Sequence, residues 1–178
     1  MVATPITKLI DEAVFPAVTL IIGKTFGLLS ASLVFNLPFQ IEAGGILNLL
    51  PTIRFLDSQS YIIAESYSNL SMFIAAALGT IFVLVRAHFF HESHIKPKLH
   101  AKLVSANAQW LIAPSYSLYH QALVWLTYLW LTVAFLVLYA LVNISFPQIA
   151  IIAFIIAANL SWVFALDIQK EIDISQSI

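Results

Sequence analysis

The sequence contains no cysteine and few charged residues, and both absences narrow the kinds of protein that it can encode. Without cysteine there is no disulfide, no thiol nucleophile and no thiolate ligand for a metal. Charged residues make up only 10% of the 178 residues, whereas a soluble domain carries roughly 25%. Because so few charges cannot cover a surface that faces water, we expect a protein that is integral to a membrane.

The chain also lacks the charge and the motifs of proteins that bind nucleic acids or nucleotides. Its formal net charge is −1, so no overall positive field attracts nucleic acid. The segment GKTFG, which begins at Gly23, lacks the upstream glycine of a phosphate-binding loop and lies within an apolar run. We therefore expect the lipid bilayer to be the principal partner, and we expect no binding of nucleic acid.

Four apolar segments are long enough to cross a bilayer, which requires about 20 residues in a helix. They comprise residues 13–35, 61–85, 118–142 and 149–166. These segments predict an all-α integral membrane protein with four transmembrane helices. We expect residues 1–178 to form a single membrane domain.

The connection between the first two segments is apolar but is interrupted by Gly44, Gly45 and Pro51. A segment broken in this way does not span a bilayer as a regular helix. We expect it to contain a short interfacial helix, and the alternatives are a re-entrant segment and a loop that caps the other helices.

The connection between the second and third segments also predicts a short interfacial helix. Apolar residues recur there every three or four positions, with basic residues between them, which is typical of an amphipathic helix on a membrane surface. An ordinary helix packed on its own protein is the alternative. The recurring residues are Leu99, Leu103, Ala106 and Trp110.

The basic residues predict the orientation of the chain. The first connection contains only Arg54, and the third connection, NISFPQ, contains no lysine or arginine. Short basic loops stay on the cytoplasmic side, so both termini and the middle connection should face the cytoplasm of a bacterial inner or plasma membrane. The basic residues of the middle connection are Arg86, Lys96, Lys98 and Lys102.

Lys24 lies near the centre of the first segment, where a lysine costs about 2.5–3.5 kcal/mol on insertion scales. Glu65 is the obvious partner, but the two residues differ in depth by roughly 15 Å when each is counted from the cytoplasmic edge of its segment. Glu65 should then lie at the outer interface. Lys24 should meet carbonyl groups, Asn143 or Asn159, or a partner subunit. Lys24 is either functional, in a conduction path, gate or subunit joint, or merely tolerated.

Small residues recur at every fourth position in three of the four segments, and this spacing lets helix backbones approach closely. We expect these three segments to form the packed core. The third segment, which is rich in tryptophan and tyrosine, should lie at the periphery against lipid or a partner. The small residues are Gly23, Gly27 and Ala31, then Ala75 and Gly79, and finally Ala153, Ala157 and Ser161.

Four of the five histidines lie between residues 86 and 102. On a continuous helix, His88, His91 and Glu92 share an arc of about 100°, an arrangement that can bind zinc or iron. His120 could add a ligand from a second helix or help to hold a haem. Histidine is also ordinary at a membrane boundary, and loose spacing is weakly specific. We therefore predict no cofactor and keep this metal or haem site as the alternative.

Three classes of function remain, in order of preference. The first is a non-enzymatic membrane subunit, scaffold or assembly factor of a larger complex or homo-oligomer, which suits a chain without a soluble catalytic domain. The second is a small oligomeric transporter or channel that uses Lys24. The third is a membrane metal or haem protein built on the histidines. An enzyme is thus the less favoured expectation, and the expected protein partners are other membrane subunits or further copies of the chain.

Overall fold

The computed structural model describes residues 5–42, 52–91 and 95–176, and most of them are helical. The elements, in chain order, are α1 (Pro5–Val34), β1 (Phe39–Glu42), β2 (Thr52–Phe55), α2 (Ser58–Phe89), α3 (Pro97–Ser105), α4 (Ser115–Leu141) and α5 (Pro147–Gln176). A one-turn 3-10 helix, Gln109–Leu111, lies between α3 and α4.

Four of the helices are long and apolar enough to cross a membrane, which confirms the four predicted segments. The candidate spans are Glu12–Val34, Ser58–Phe89, Ser115–Leu141 and Pro147–Asp173. The helix α5 continues well beyond its predicted end at Leu166. The prediction followed the apolar run alone, and the helix includes the polar residues after it.

The described part of the first connection forms an antiparallel β-hairpin, so the expectation of a short helix there is wrong for these residues. Phe39 pairs with Phe55 and Ile41 with Ile53, and apolar residues alternate with polar ones along both strands, a period of two that favours a strand. The three helix-breaking residues of this connection lie outside the described part of the chain. The short helix expected in the middle connection is present as α3, and its interfacial position stays a prediction.

Three asparagines end helices at points where the sequence is still apolar. Asn36, Asn107 and Asn143 follow α1, α3 and α4 and have φ angles of 49°, 54° and 57°. After each of them, the next N–H donates to the carbonyl five residues earlier, as Leu37 does to Ser32 at 3.0 Å. This is the Schellman hydrogen bond, and asparagine adopts the left-handed conformation that it requires more readily than most residues do.

Asp57 begins α2 as its N-cap. Its carboxylate accepts hydrogen bonds from the hydroxyl and the N–H of Ser60 at 2.6 and 2.7 Å, which satisfies an otherwise free donor of the first turn. These bonds, the hydroxyl bond foremost, lower the pKa of Asp57 below its ordinary value. The cap therefore stabilises the helix above the pKa of the unfolded carboxyl, and this contribution is lost as the pH falls through the folded pKa.

The chain forms two compact units, and each of the four long helices contributes to both. The first unit contains the chain up to Pro16, Ala76–Trp130 and the chain from Ile155 onwards. The second contains Ala17–Ala75 and Leu131–Phe154. The first unit thus contains the N-terminal part of α1, the C-terminal part of α5 and the whole middle connection.

In the second unit, α1 and α2 approach each other through two glycines of α1. A Cβ atom on Gly23 would lie 2.9 Å from the Cβ of Ala75. A Cβ atom on Gly27 would lie 2.5 Å from the Cβ of Ser71 and 2.9 Å from the Cα of Ser68. Real Cβ atoms are essentially never found within 3.0 Å of another heavy atom, so a side chain at either position would force α1 and α2 to shift.

In the first unit, the core contains large side chains of α4. Trp125 and Ala122 pack with Val83 and Leu84 of α2. A Cβ atom on Gly79 would overlap the ring of Trp125, so the missing side chain makes room for the indole.

The expectation that the third segment lies at the periphery is wrong. In the most apolar stretch of α4, 39% of the residues are buried, against 44% in α2 and 17% in both α1 and α5. Leu129, Val133 and Leu136 are at most 2% exposed. Large side chains of α4 fill space between helices, whereas few residues of α1 and α5 are buried.

We expect Gly27→Leu to destabilise the protein far more than Ala134→Leu. The first change inserts a side chain against the backbone of α2, and overpacking typically costs about 1–3 kcal/mol. Ala134 is exposed on α4, so a leucine there meets no neighbour. Unfolding of both variants in mixed micelles, titrated with sodium dodecyl sulfate, measures the difference. Equal losses of unfolding free energy would contradict the close approach of α1 and α2.

Candidate functional site

Lys24 and two residues of α2 form a polar cluster in the second unit. The Nζ atom of Lys24 lies 3.2 Å from Oε2 of Glu65 and 3.4 Å from its Oε1. It also donates a hydrogen bond to Oδ1 of Asn69 at 3.2 Å. The ring of Tyr139 on α4 completes the surroundings, with its centre 5.4 Å from Nζ. We call Lys24, Glu65 and Asn69 the lysine cluster.

The depth argument that separated Lys24 from Glu65 is therefore wrong. Because Gly23 packs against Met72 and Ala75, Lys24 is about level with Met72. Glu65 lies seven residues before Met72 on α2, which is roughly 10 Å at 1.5 Å per residue. An extended lysine and a glutamate pointing towards each other bridge this separation. The argument assumed a larger offset between the two helices and considered the reach of the lysine alone.

The lysine cluster lies in a largely apolar setting. Asn69 is 1% exposed, and the side chains of Glu65 and Lys24 are 15% and 37% exposed. The Oε2 atom of Glu65 is within ion-pair distance of the ammonium but receives no aligned hydrogen bond, and Nδ2 of Asn69 has no acceptor among the residues that the structure describes. One acceptor and one donor of the cluster thus remain unsatisfied by hydrogen bonding.

Serines of α2 extend this polar strip along the helix. The hydroxyl of Ser68 donates to the backbone carbonyl of Lys24 at 2.8 Å. The hydroxyl of Ser66 accepts the N–H of Phe146, at the start of the α5 region, at 3.1 Å. Both serines are fully buried, so their small polar side chains satisfy backbone groups where neighbouring segments cross.

The two asparagines expected to meet Lys24 have other roles. Asn143 forms the left-handed turn after α4, and the amide of Asn159 donates to the carbonyl of Ile155 on its own helix at 2.7 Å. The charge of Lys24 is met inside its own chain. A partner subunit is therefore not needed to neutralise this charge. A subunit joint at Lys24 stays a prediction.

In the first unit, the end of α2 meets α5 through histidines and carboxylates. The Nδ1 atom of His88 lies 2.6 Å from Oδ1 of Asp167, and the hydroxyl of Tyr119 donates to Oδ2 of Asp167 at 3.1 Å. Just beyond α2, Nε2 of His91 lies 4.0 Å from a carboxylate oxygen of Glu171. Asp167 therefore links α2, α4 and α5 through both of its oxygens.

A further pair in this unit links α4 to α1. The Nδ1 atom of His120 lies 2.7 Å from Oε2 of Glu12. The next residue of α1 makes a second contact with α4, because the carbonyl of Ala13 accepts a hydrogen bond from the hydroxyl of Tyr128 at 3.1 Å. Both contacts hold the beginning of the first candidate span against α4.

Arg86 connects α2 to the segment that precedes α4. Its guanidinium donates to the carbonyls of Leu111 and Trp110 at 3.1 and 3.4 Å and lies 3.5 Å from the amide oxygen of Gln121. These carbonyls belong to the one-turn helix after α3, where the turn leaves carbonyl groups available. Arg86, which the orientation argument treated only as a positive charge, positions the middle connection.

The structure does not bring the predicted metal ligands together. The helix α2 ends at Phe89, and His91 instead forms an isolated parallel bridge with Ala113. The continuous helix assumed for the histidine arc is therefore wrong, and Glu92 lies outside the described residues. His88, His91 and His120 each face a different carboxylate. Within ranges 5–42, 52–91 and 95–176, no group of three or more His, Asp or Glu residues is arranged to hold a metal ion.

Sequence reasoning missed the partners of the histidines, although a signal for them exists. Asp167 directly follows the apolar run of the fourth segment, and Glu12 directly precedes that of the first. His88 and His120 lie at the same edge of the apolar region under the predicted topology. Matching charged residues at the edges of the segments would have suggested both pairs.

No family model matches the chain, and no curated protein or solved structure matches it either. The function must therefore be inferred from the geometry of these polar groups. In each unit they chiefly join one helix to another. The pairs connect α1 to α2 in the second unit, and α2 to α5 and α4 to α1 in the first.

We expect Lys24→Leu to lower the free energy of unfolding by about 1–3 kcal/mol, because it leaves the buried carboxylate of Glu65 without its cation. The double variant Lys24→Leu/Glu65→Leu should recover most of this loss, since an apolar pair of similar size needs no desolvation of charge. Unfolding titrations in mixed micelles measure all three variants.

The exposed pair of the hairpin provides a matched control. Arg54 lies 3.2 Å from Glu42, and their side chains are 70% and 48% exposed, so Arg54→Leu should cost less than about 1 kcal/mol. A Lys24→Leu variant as stable as the natural protein, or a double variant no better than the single one, would contradict a stabilising role of the pair.

Proposed function

We propose that the protein is a non-enzymatic integral membrane subunit, which acts as a scaffold or assembly element of a larger membrane complex or of a homo-oligomer. The observation that carries the proposal is that three ionisable pairs within the candidate spans each join two helices of the same chain. These pairs are Lys24–Glu65, His88–Asp167 and His120–Glu12.

Such pairing favours a structural role over a chemical one. A general acid, base or nucleophile must be able to reach its substrate, whereas a residue that bridges two helices holds their positions. The exposed apolar faces of α1 and α5 supply the surface that a membrane partner needs. Phe26 and Ile155, for example, are 66% and 54% exposed.

The proposal places the protein in a bacterial inner or plasma membrane with both termini in the cytoplasm. The first unit supports the arrangement, because it contains the first helix up to Pro16, the middle connection and the last part of α5. The basic residues Lys96, Lys98 and Lys102 belong to the same unit. An even number of spans and the positive-inside rule then assign this end to the cytoplasm.

The test is the composition of the protein as it leaves the native membrane. A photoreactive phenylalanine at Phe26 or at Ile155 should cross-link the chain to a second polypeptide, either another copy or a partner that co-purifies at a fixed ratio. The same probe at Leu129, which is fully buried, is the control and should cross-link only within the chain. Light scattering in lipid nanodiscs then gives the mass of the assembly.

A single chain of monomer mass, with cross-links to lipid alone from both exposed positions, would overturn the proposal. Loss of cross-linking on dilution into detergent, with mass above that of a monomer in nanodiscs, would support a weak but genuine assembly. Cross-links of the Leu129 probe to a second chain would show that the probe reports unfolded protein.

A small oligomeric transporter or channel is the second candidate, and the lysine cluster favours it. The unsatisfied Oε2 of Glu65 and Nδ2 of Asn69 lie beside an intramembrane ammonium, and intramembrane ionisable residues often line ion or proton paths. In proteoliposomes with an internal pH dye or a cation dye, Glu65→Gln should then abolish flux, whereas Glu42→Gln in the exposed hairpin should not. Absence of flux from the natural protein, or equal flux from both variants, removes this candidate.

A further inference from the structure

The first unit contains a polar cavity and an apolar groove that share a wall. The cavity has a volume of about 420 Å³ and reaches from the end of α2 to α3 and α5. The groove has a volume of about 380 Å³ and lies along α2 and α5. His88, Phe89, Asp167 and Lys170 line both, so the two form one amphipathic site.

The site changes from apolar to polar at the edge of the candidate spans. Leu84 and Val85 of α2 and Val163 and Leu166 of α5 line the groove, about one to three turns inside the span ends at Phe89 and Asp173. Val85, Val163 and Leu166 are 43%, 52% and 49% exposed. Under the proposed membrane topology, on which this inference rests, the groove lies open at the depth of lipid chains and the cavity lies at the depth of their headgroups.

The charges of the cavity leave two ammonium groups unmatched. Both oxygens of Asp167 are engaged, one by His88 and the other by Tyr119. Lys96 and Lys170 line the cavity, and the structure gives neither an ion pair nor a hydrogen bond with any residue that it describes. The second carboxylate of the cavity, Glu171, faces His91 at 4.0 Å. Each carboxylate thus faces a histidine, whereas the two lysines have no partner among the described residues, and this leaves positive charge available for an anion.

We infer that this site binds one anionic phospholipid. Its phosphate lies between Lys96 and Lys170, and one acyl chain lies along the groove between α2 and α5. Basic pockets at the cytoplasmic ends of transmembrane helices are suited to anionic headgroups, and a lysine binds a phosphate as a point charge. The adjoining groove favours a lipid over a soluble phosphate, because a free anion would use the cavity and leave the apolar walls uncovered.

Native mass spectrometry of the full chain, released from detergent with phosphatidylglycerol, tests the site. The natural protein should retain one lipid per chain. Lys96→Gln/Lys170→Gln should weaken retention by about tenfold, as expected for two lysines at a phosphate near a membrane surface. Lys98→Gln/Lys102→Gln is the matched control, since these exposed lysines change the net charge equally but do not line the cavity, and it should retain the lipid as the natural protein does.

The groove has its own matched pair of variants. Val163→Trp places a bulky ring in the groove and should weaken retention, whereas Leu123→Trp adds the same ring at a position of α4 that is 55% exposed and outside the groove, and should not. Inorganic phosphate and glycerol phosphate, which lack the acyl chain, should fail to displace the lipid at equal concentration.

Each alternative has a distinct outcome. Equal losses from the two lysine pairs would overturn the site in favour of diffuse attraction between basic residues and anionic lipid. Displacement by inorganic phosphate, together with normal retention by Val163→Trp, would reassign the cavity to a soluble anion. Retention of phosphatidylcholine as strong as that of phosphatidylglycerol would contradict the role of the two lysines, because both lipids fit the groove and differ in net charge. Circular dichroism of the variants verifies that all of them are folded.

Discussion

An ammonium group inside an apolar span needs an acceptor within reach on a neighbouring helix, and this requirement governs the packing of α1 on α2. Lys24 reaches Glu65 and Asn69 only because the two helices lie close enough for their backbones to approach. That closeness depends in turn on Gly23 and Gly27, which present no side chain to α2. The glycines of the second unit therefore make the ion pair possible, and the ion pair makes the lysine tolerable.

In the first unit, polar side chains also find their partners on neighbouring helices, but the groups are histidine, tyrosine and arginine. These residues carry their polar groups at the end of a long or bulky side chain, so they can reach a neighbouring helix. His88 and Tyr119 meet on Asp167, and Arg86 binds backbone carbonyls of the middle connection. Polar contacts near the ends of the spans thus hold parts of the chain that apolar packing alone would leave undirected.

Hydropathy and length were enough to predict the four long helices, because the requirement for a continuous apolar stretch acts residue by residue. The hairpin between β1 and β2 was missed because its alternating pattern is only four residues long on each strand. The three asparagines could have predicted the ends of α1, α3 and α4, since the left-handed turn is a local preference. The Lys24–Glu65 pair could not be derived from counting residues, because the offset between two helices depends on which surfaces interlock.

The buried position of α4 could not be predicted from the pattern of small residues either. Small side chains indicate where backbones approach, but they do not exclude a core filled by leucine and tryptophan. Shape decides this, as Gly79 and Trp125 illustrate. A sequence pattern gives the size of each side chain separately. Packing depends on the combined volume of the two side chains that face each other.

Because of this contact, we expect residues 79 and 125 to change together in evolution. A side chain at residue 79 would overlap the indole of Trp125, so residue 125 should become smaller first. That first step leaves a void that the helices can close. Drift at this contact should therefore run through the loss of the indole, with residue 79 enlarging afterwards. Relatives of this chain that carry alanine or serine at residue 79 would be recognised by the leucine or smaller residue that they carry at residue 125.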